Sequence, residues 1–146
     1  MEKQYYAYEE LISDTKALMT KFEETYDALL VVARGGMTFA HILAEGLNIR
    51  DIALVNIASY DETIQRDTVT IKEFPKLDSS KRYLVVEDIV DSGKSMLALT
   101  KNLSLSYPHL DYDVAAIFYK KTALYTPKYY LHEAKAWIEF FWEVDI

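Results

Sequence analysis

The stretch Val85 to Met96, V-V-E-D-I-V-D-S-G-K-S-M, sets the carboxylates of Glu87, Asp88 and Asp91 between an apolar run and Ser92-Gly93-Lys94-Ser95. Residues of these types can divide a task. A helix beginning at Ser92-Gly93-Lys94-Ser95 offers free backbone N–H groups and hydroxyls to a phosphate. Glu87 and Asp88, at the end of a strand, offer acceptors to sugar hydroxyls, or to a Mg²⁺ that keeps its water. Phosphate and ribose side by side spell a ribose 5-phosphate. Gly93-Lys94-Ser95 also matches the ending of a nucleoside-triphosphate loop, but that loop needs a glycine five positions earlier. The residue there is Asp88, whose carboxylate would face the phosphates, so that reading is rejected. Asp91 is read either as a helix N-cap or first-turn acid, or as a group that does chemistry.

Arg34-Gly35-Gly36 is a second candidate. An arginine followed by two glycines puts a guanidinium and closely approachable backbone amides against an anion; the bland alternative is an arginine snorkelling from its strand. Ser59-Tyr60 is a third, at the end of another apolar run.

The elements that position these residues follow from periodicity. Tyr8 to Phe22 has helical spacing of Leu11, Ile12, Ala17, Leu18 and Phe22. Asp27 to Ala33 is a short continuous apolar run, the mark of a strand buried on both faces of a parallel sheet. Thr38 is expected to cap the following helix, closed by Gly46. Ile52 to Ala58 reads as a strand, D-E-T-I-Q-R-D (residues 61–67) as an exposed loop, and Thr68 to Phe74 as an edge strand that Pro75 ends. Tyr83 to Val86 is a further buried strand, Lys94 to about Leu105 a helix, and Val114 to Phe118 a strand. The remainder is aromatic and irregular. Strand, glycine turn, helix, strand is the βαβ rhythm, so the fold expected is α/β: an open parallel sheet flanked by helices, with a small irregular C-terminal hood. All three candidate segments then fall at the carboxyl ends of strands, where ligands of such sheets sit.

Composition bounds the rest. The 146 residues are 51% hydrophobic, as expected of one folded domain spanning 1–146. The net charge of −7 disfavours nucleic acid and anionic membranes, so a phosphate must be held by local geometry. With no cysteine there are no disulfides or thiolate nucleophiles, which fits a reducing cytoplasm. The acidic, aromatic N-terminus is unlike a signal peptide, and no apolar run is long enough to cross a bilayer. The three histidines are scattered and form no cluster.

Val85 to Met96 resembles the phosphoribosyl-pyrophosphate (PRPP) motif of type I phosphoribosyltransferases: apolar residues, two acids, two apolar residues, Asp, Ser, Gly, any residue, Ser. Arg34-Gly35-Gly36 resembles the family's pyrophosphate loop, where a non-proline cis peptide often occurs. Ser59-Tyr60 resembles the head of its mobile loop. S-Y-D-x-x-x-Q-R (Ser59 to Arg66), F-x-K (Phe118 to Lys120) and W-I-E-x-x-W (Trp137 to Trp142) are closest to the small bacterial xanthine-guanine members, although E-D-I-V-D-S-G-K-S is nearer in wording to hypoxanthine-guanine members.

The resemblance implies transfer of a ribose 5-phosphate from PRPP to xanthine, guanine or hypoxanthine, giving a nucleoside 5′-monophosphate and pyrophosphate, with Mg²⁺ as cofactor. It assigns PRPP to Arg34, Gly35, Ser59, Tyr60, Arg66, Glu87, Asp88, Asp91, Ser92, Gly93, Lys94 and Ser95. The metal goes to Glu87 and Asp88, in part through water. The purine goes to Lys120, to Trp137 by stacking and to the Ile138 carbonyl; Asp91 is the base at N7. Lys121 beside Lys120, and packing roles for the late aromatics, are the plain alternatives. A homo-oligomer, dimer or tetramer, is expected. Two other readings stand beside it: a non-enzymatic PRPP-sensing regulator on the same fold, and a transferase for another base.

Overall fold

The computed structural model describes residues 2–60 and 68–146. Its elements are β1 (Lys3–Tyr6), α1 (Tyr8–Met19), β2 (Ala28–Ala33), α2 (Met37–Leu47), β3 (Ile52–Tyr60), β4 (Thr68–Ile71), β5 (Arg82–Val90), α3 (Lys94–Ser106), β6 (Asp111–Tyr119), β7 (Tyr129–Glu133) and β8 (Trp137–Phe140). The principal sheet has the order β4-β3-β2-β5-β6-β7, and β1 and β8 form a second, two-stranded sheet. All pairs in the principal sheet are parallel except β3–β4; the edge strand expected over Thr68 to Phe74 is there only over Thr68–Ile71, and it runs antiparallel.

Strand geometry accounts for the continuous apolar runs. Successive side chains point to opposite faces, and both faces here are covered. From β2, Leu29 and Val31 join a core with Leu11 and Leu18 of α1 and Phe39 and Leu43 of α2. Ala28, Leu30 and Val32 join another, with Met96, Leu99 and Leu103 of α3. Strand β5 divides likewise, Leu84 and Val86 to the first core, Tyr83 and Val85 to the second. Leu30 and Leu84 are both fully buried. Truncating either to Ala would cost about 2–5 kcal/mol, so the sheet centre is a stiff platform for whatever its strand ends hold.

The chain leaves β2 through α2 to reach β3 on one side, and leaves β5 through α3 to reach β6 on the other. The connection direction therefore reverses between β2 and β5, and a crevice opens outside their carboxyl ends. Arg34-Gly35-Gly36 and Glu87 to Ser95 flank that crevice.

Several boundaries differ from the sequence expectations for physical reasons. Helix α1 stops at Met19, capped by Thr20, rather than running to Phe22. Thr38 is not the cap of α2; Gly36 is, with no side-chain cap bond. Gly46 lies inside α2, where a Cβ would stand 2.9 Å from Met19 Sδ of α1. The left-handed residue that ends α2 is Asn48, at φ 54°. Strand β5 continues through the two acids to Val90 because β6 pairs beside it as far as Tyr119.

The hood contains regular structure. β1 runs parallel to β8, from Lys3 opposite Trp137 to Tyr6 opposite Phe140. Tyr6 pins it to the main sheet: its ring meets Phe118 and Phe140 edge-on at 5.3 and 5.7 Å, and its hydroxyl donates to Asp14 Oδ2 at 2.7 Å.

Candidate active site

Three hollows adjoin along the carboxyl edge of the sheet. The first, about 290 Å³, is lined by Asp88, Ile89, Asp91, Lys120 and the hood residues Trp137 and Ile138, among others. The second, about 350 Å³, lies over Glu87, Asp91 and Ser92 to Ser95 at the start of α3. The third, about 1190 Å³, is bounded by Arg34 and Gly35 on one side and Trp142 to Asp145 on the other. Asp91 belongs to the first two and Asp88 to the first and third.

Close backbone approach fixes this layout. The Ala33–Arg34 peptide is cis. Gly35 packs directly on Asp88: a Cβ there would lie 2.7 Å from Asp88 Oδ2, so a larger residue would push the carboxylate aside. Gly93 has φ +86°, and its missing Cβ would lie 2.7 Å from the backbone nitrogens of Leu124 and Tyr125. The loop after β6 thus presses on the loop after β5. Leu124 N donates to Ser92 O at 2.8 Å, and Lys120 N donates to Val90 O at 2.9 Å. Ser92 Oγ accepts from Lys94 N at 3.3 Å, which shapes the turn into α3.

The acid pair is electrostatically strained. Burial raises the Glu87 carboxyl well above its ordinary range, and the neighbouring Asp88 carboxylate raises it further. Burial raises Asp88 as well, partly offset by hydrogen bonds from Glu87 and Ile89 N. Of the two, Glu87 is pushed harder toward its protonated form. Two carboxylates are too few to enclose a metal, and no group of three or more potential ligands exists among the described residues. They do suit a Mg²⁺ that takes its remaining ligands from water and substrate phosphates.

A group whose folded-state pKa is raised stabilises the fold below its unfolded pKa and loses that contribution as pH rises through the folded one. With a chelator present, the wild-type unfolding midpoint should therefore fall relative to Glu87→Gln as pH rises from about 5 to about 8. Thermal unfolding of both proteins at several pH values checks this. Parallel curves would mean that Glu87 ionises as freely in the folded chain as in the unfolded one.

In the first hollow, Lys120 Nζ pairs with Asp91 Oδ1 at 2.8 Å. Lys120, not Lys121, lines this wall. Trp137 stands half-exposed at the rim, while Ile138 is buried beneath it. Trp137 N donates to Glu2 O at 3.0 Å, just ahead of β1, so the N-terminal segment holds Trp137 in place.

Of the sequence candidates, Arg34 and Gly35 meet Asp88, and Glu87, Asp91 and Ser92 to Ser95 surround one hollow. Lys120, Trp137 and Ile138 surround the next. Ser59 and Tyr60 end β3, whose Asn56 and Ile57 line the third hollow. Arg66, with the rest of 61–67, lies outside the described residues. Sequence reasoning missed Lys135 and Glu143 in the first hollow and Trp142 in the third. Only their closeness to W-I-E-F-F-W pointed there.

The arrangement is a mostly parallel α/β sheet with a hollow at the head of one helix, an acid pair beside it and a glycine loop after the neighbouring strand. The chain belongs to the phosphoribosyl transferase domain family, which matches residues 2–146. A solved structure described as Helicobacter pylori xanthine-guanine-hypoxanthine phosphoribosyltransferase superposes with TM-score 0.89 at 34% identity, covering 98% of this chain and 95% of that one. A purine phosphoribosyltransferase from Pyrococcus horikoshii Ot3 gives TM-score 0.86 at 25% identity, over 100% and 97% of the two chains. Among curated relatives, a xanthine-guanine phosphoribosyltransferase of Idiomarina loihiensis is 35% identical over 102 residues, 68% of this chain. That match spans 63% of the relative's own length, and a match to the Vibrio parahaemolyticus enzyme of the same name spans 44%.

Proposed function

We propose that the protein transfers the ribose 5-phosphate of PRPP to a 6-oxopurine, releasing pyrophosphate and forming a nucleoside 5′-monophosphate. The observation that carries this reading is the sharing of Asp91 between a phosphate cradle and an aromatic-walled hollow with a lysine. A sugar phosphate in one and a flat base in the other would meet at that carboxylate.

The 5′-phosphate is assigned to the backbone N–H groups and hydroxyls of Ser92 to Ser95, and the ribose hydroxyls to Glu87 and Asp88. The pyrophosphate is assigned to Arg34 and the Gly35 amide. The hollow beside Arg34 also holds the carboxylates of Asp88, Glu143 and Asp145, so a naked polyanion is a poor fit there and one that brings cations a good one. Mg²⁺, held by Glu87 and Asp88 in part through water, would neutralise charge on the leaving pyrophosphate. Lys120 donates to the purine 6-oxo group, Trp137 stacks on the ring, and the Ile138 carbonyl accepts from its 2-position side. Ser59, Tyr60 and Arg66 are assigned to the loop that shields the oxocarbenium-like sugar from water.

In the chemical step the purine N9–C1′ bond forms as the C1′–O bond to pyrophosphate breaks, and the N7 proton passes to Asp91. No covalent nucleophile is needed. A cytoplasmic location and a homo-oligomer accompany this reading and are open to fractionation and sedimentation.

The test is nucleotide formation from PRPP and Mg²⁺ with xanthine, guanine, hypoxanthine, adenine and uracil offered separately. The three 6-oxopurines should react. Adenine should be at least about 10²-fold poorer, because its amino group meets the Lys120 donor where an acceptor is needed. Efficient use of adenine, or inertness toward all five, would falsify the assignment.

A further inference from the structure

Lys135 lies in the connection between β7 and β8, two residues before Trp137, and lines the same hollow as Lys120, Trp137 and Ile138. It makes no ion pair among the described residues. The charged groups facing this hollow are the carboxylates of Asp88, Asp91 and Glu143 and the two ammonium groups of Lys120 and Lys135. Lys120 is engaged by Asp91 at 2.8 Å. Glu143 Oε1 accepts from Phe140 N at 2.9 Å, which holds its negative charge at the wall. Without Lys135 the hollow would present three carboxylates against one ammonium, a hostile place for a base that arrives as an anion.

We propose that Lys135 is a specificity-determining residue that makes the hollow accept an oxopurine bearing a second oxo group and negative charge, in preference to one with hydrogen at that position. This deepens the functional reading above and rests on it. Lys120 is committed to the 6-oxo side through its contact with Asp91. A second ammonium on the strand connection that leads into Trp137 and Ile138 is free to meet the 2-position side. Xanthine is the 6-oxopurine that fits: it carries the 2-oxo acceptor and ionises most readily of the three. A flexible, compact ammonium suits a point contact to such an oxygen, and a donor aimed at an oxo group discriminates against a ring that lacks it. The attraction also grows with the share of base that is ionised.

The experiment measures kcat/KM for xanthine and for hypoxanthine in wild type, Lys135→Gln and Lys135→Arg, each at several pH values. The xanthine-to-hypoxanthine ratio should fall about tenfold in Lys135→Gln and stay within about threefold of wild type in Lys135→Arg. In wild type the ratio should climb as pH rises and xanthine ionises, and it should climb less in Lys135→Gln. A ratio unchanged by Lys135→Gln at every pH, in an active wild type, overturns this inference and leaves the functional reading standing. A wild type inert toward all bases overturns both.

Discussion

Asp91→Asn is expected to lower kcat with guanine or hypoxanthine by about 10²–10⁴-fold, the loss typical of a positioned general base. The fold should be unaffected, because the Asp91 side chain is 58% exposed and its ion pair with Lys120 is at the surface of the cleft; such pairs contribute about 0–1 kcal/mol. The asparagine keeps the size of the side chain and a hydrogen-bonding oxygen, but cannot accept the N7 proton. Xanthine should suffer least where it arrives already ionised, so the gap between xanthine and the other bases should widen as pH rises through xanthine's ionisation and close as pH falls below it. Steady-state kinetics with the three bases across the folded pH range makes the comparison. Equal losses for all three at every pH would reduce Asp91 to a capping or binding residue.

Gly93→Ala is expected to damage PRPP binding most of all. An alanine at φ +86° is strained, by about 1–3 kcal/mol. Its methyl would also drive into the backbone nitrogens of Leu124 and Tyr125, at 2.7 Å, and these belong to main chain rather than to a side chain that can swing away. Relief requires the loop after β6 to retreat, which would break the bond from Leu124 N to Ser92 O and disturb the turn into α3. The KM for PRPP should rise at least about tenfold, the equivalent of about 1.4 kcal/mol, with a lowered melting temperature. The purine KM at saturating PRPP should change less. A PRPP KM within twofold of wild type would mean that Ser92 to Ser95 does not hold the phosphate.

The centre of the fold was legible because a strand buried on both faces has no choice of composition. Ala28 to Ala33 and Tyr83 to Val86 are apolar at every position, and from Ala28 to Val32 and Tyr83 to Val86 successive residues enter the two cores in alternation. The turn from β5 into α3 was legible because a glycine between a buried apolar run and a helical stretch marks it locally, and Gly93 is the N-cap of α3. The hood was not. Lys3 to Tyr6 shows no alternation, and its strand exists because Trp137 to Phe140 lies beside it, a pairing between opposite ends of the chain. Lys135 and Glu143 were invisible for the same reason: nothing in A-K-A or W-E-V says which way a side chain faces until β8 is placed. Gly46 misled in the other direction. It looks like a helix terminator, but its small size serves the crossing of α2 over Met19, and Asn48 makes the left-handed turn.

The central claim is that one cleft holds phosphate, ribose and base in adjoining hollows that meet at Asp91. A crystal structure of the protein with guanosine 5′-monophosphate tests it most directly. The account predicts the 5′-phosphate within about 3 Å of the backbone nitrogens of Ser92 to Ser95, and the ribose hydroxyls on Glu87 and Asp88. It predicts guanine stacked on Trp137 with its 6-oxo group on Lys120 Nζ and N7 beside Asp91. A phosphate seated instead at Arg34-Gly35, or a base lying outside the hollow walled by Trp137 and Ile138, would contradict it.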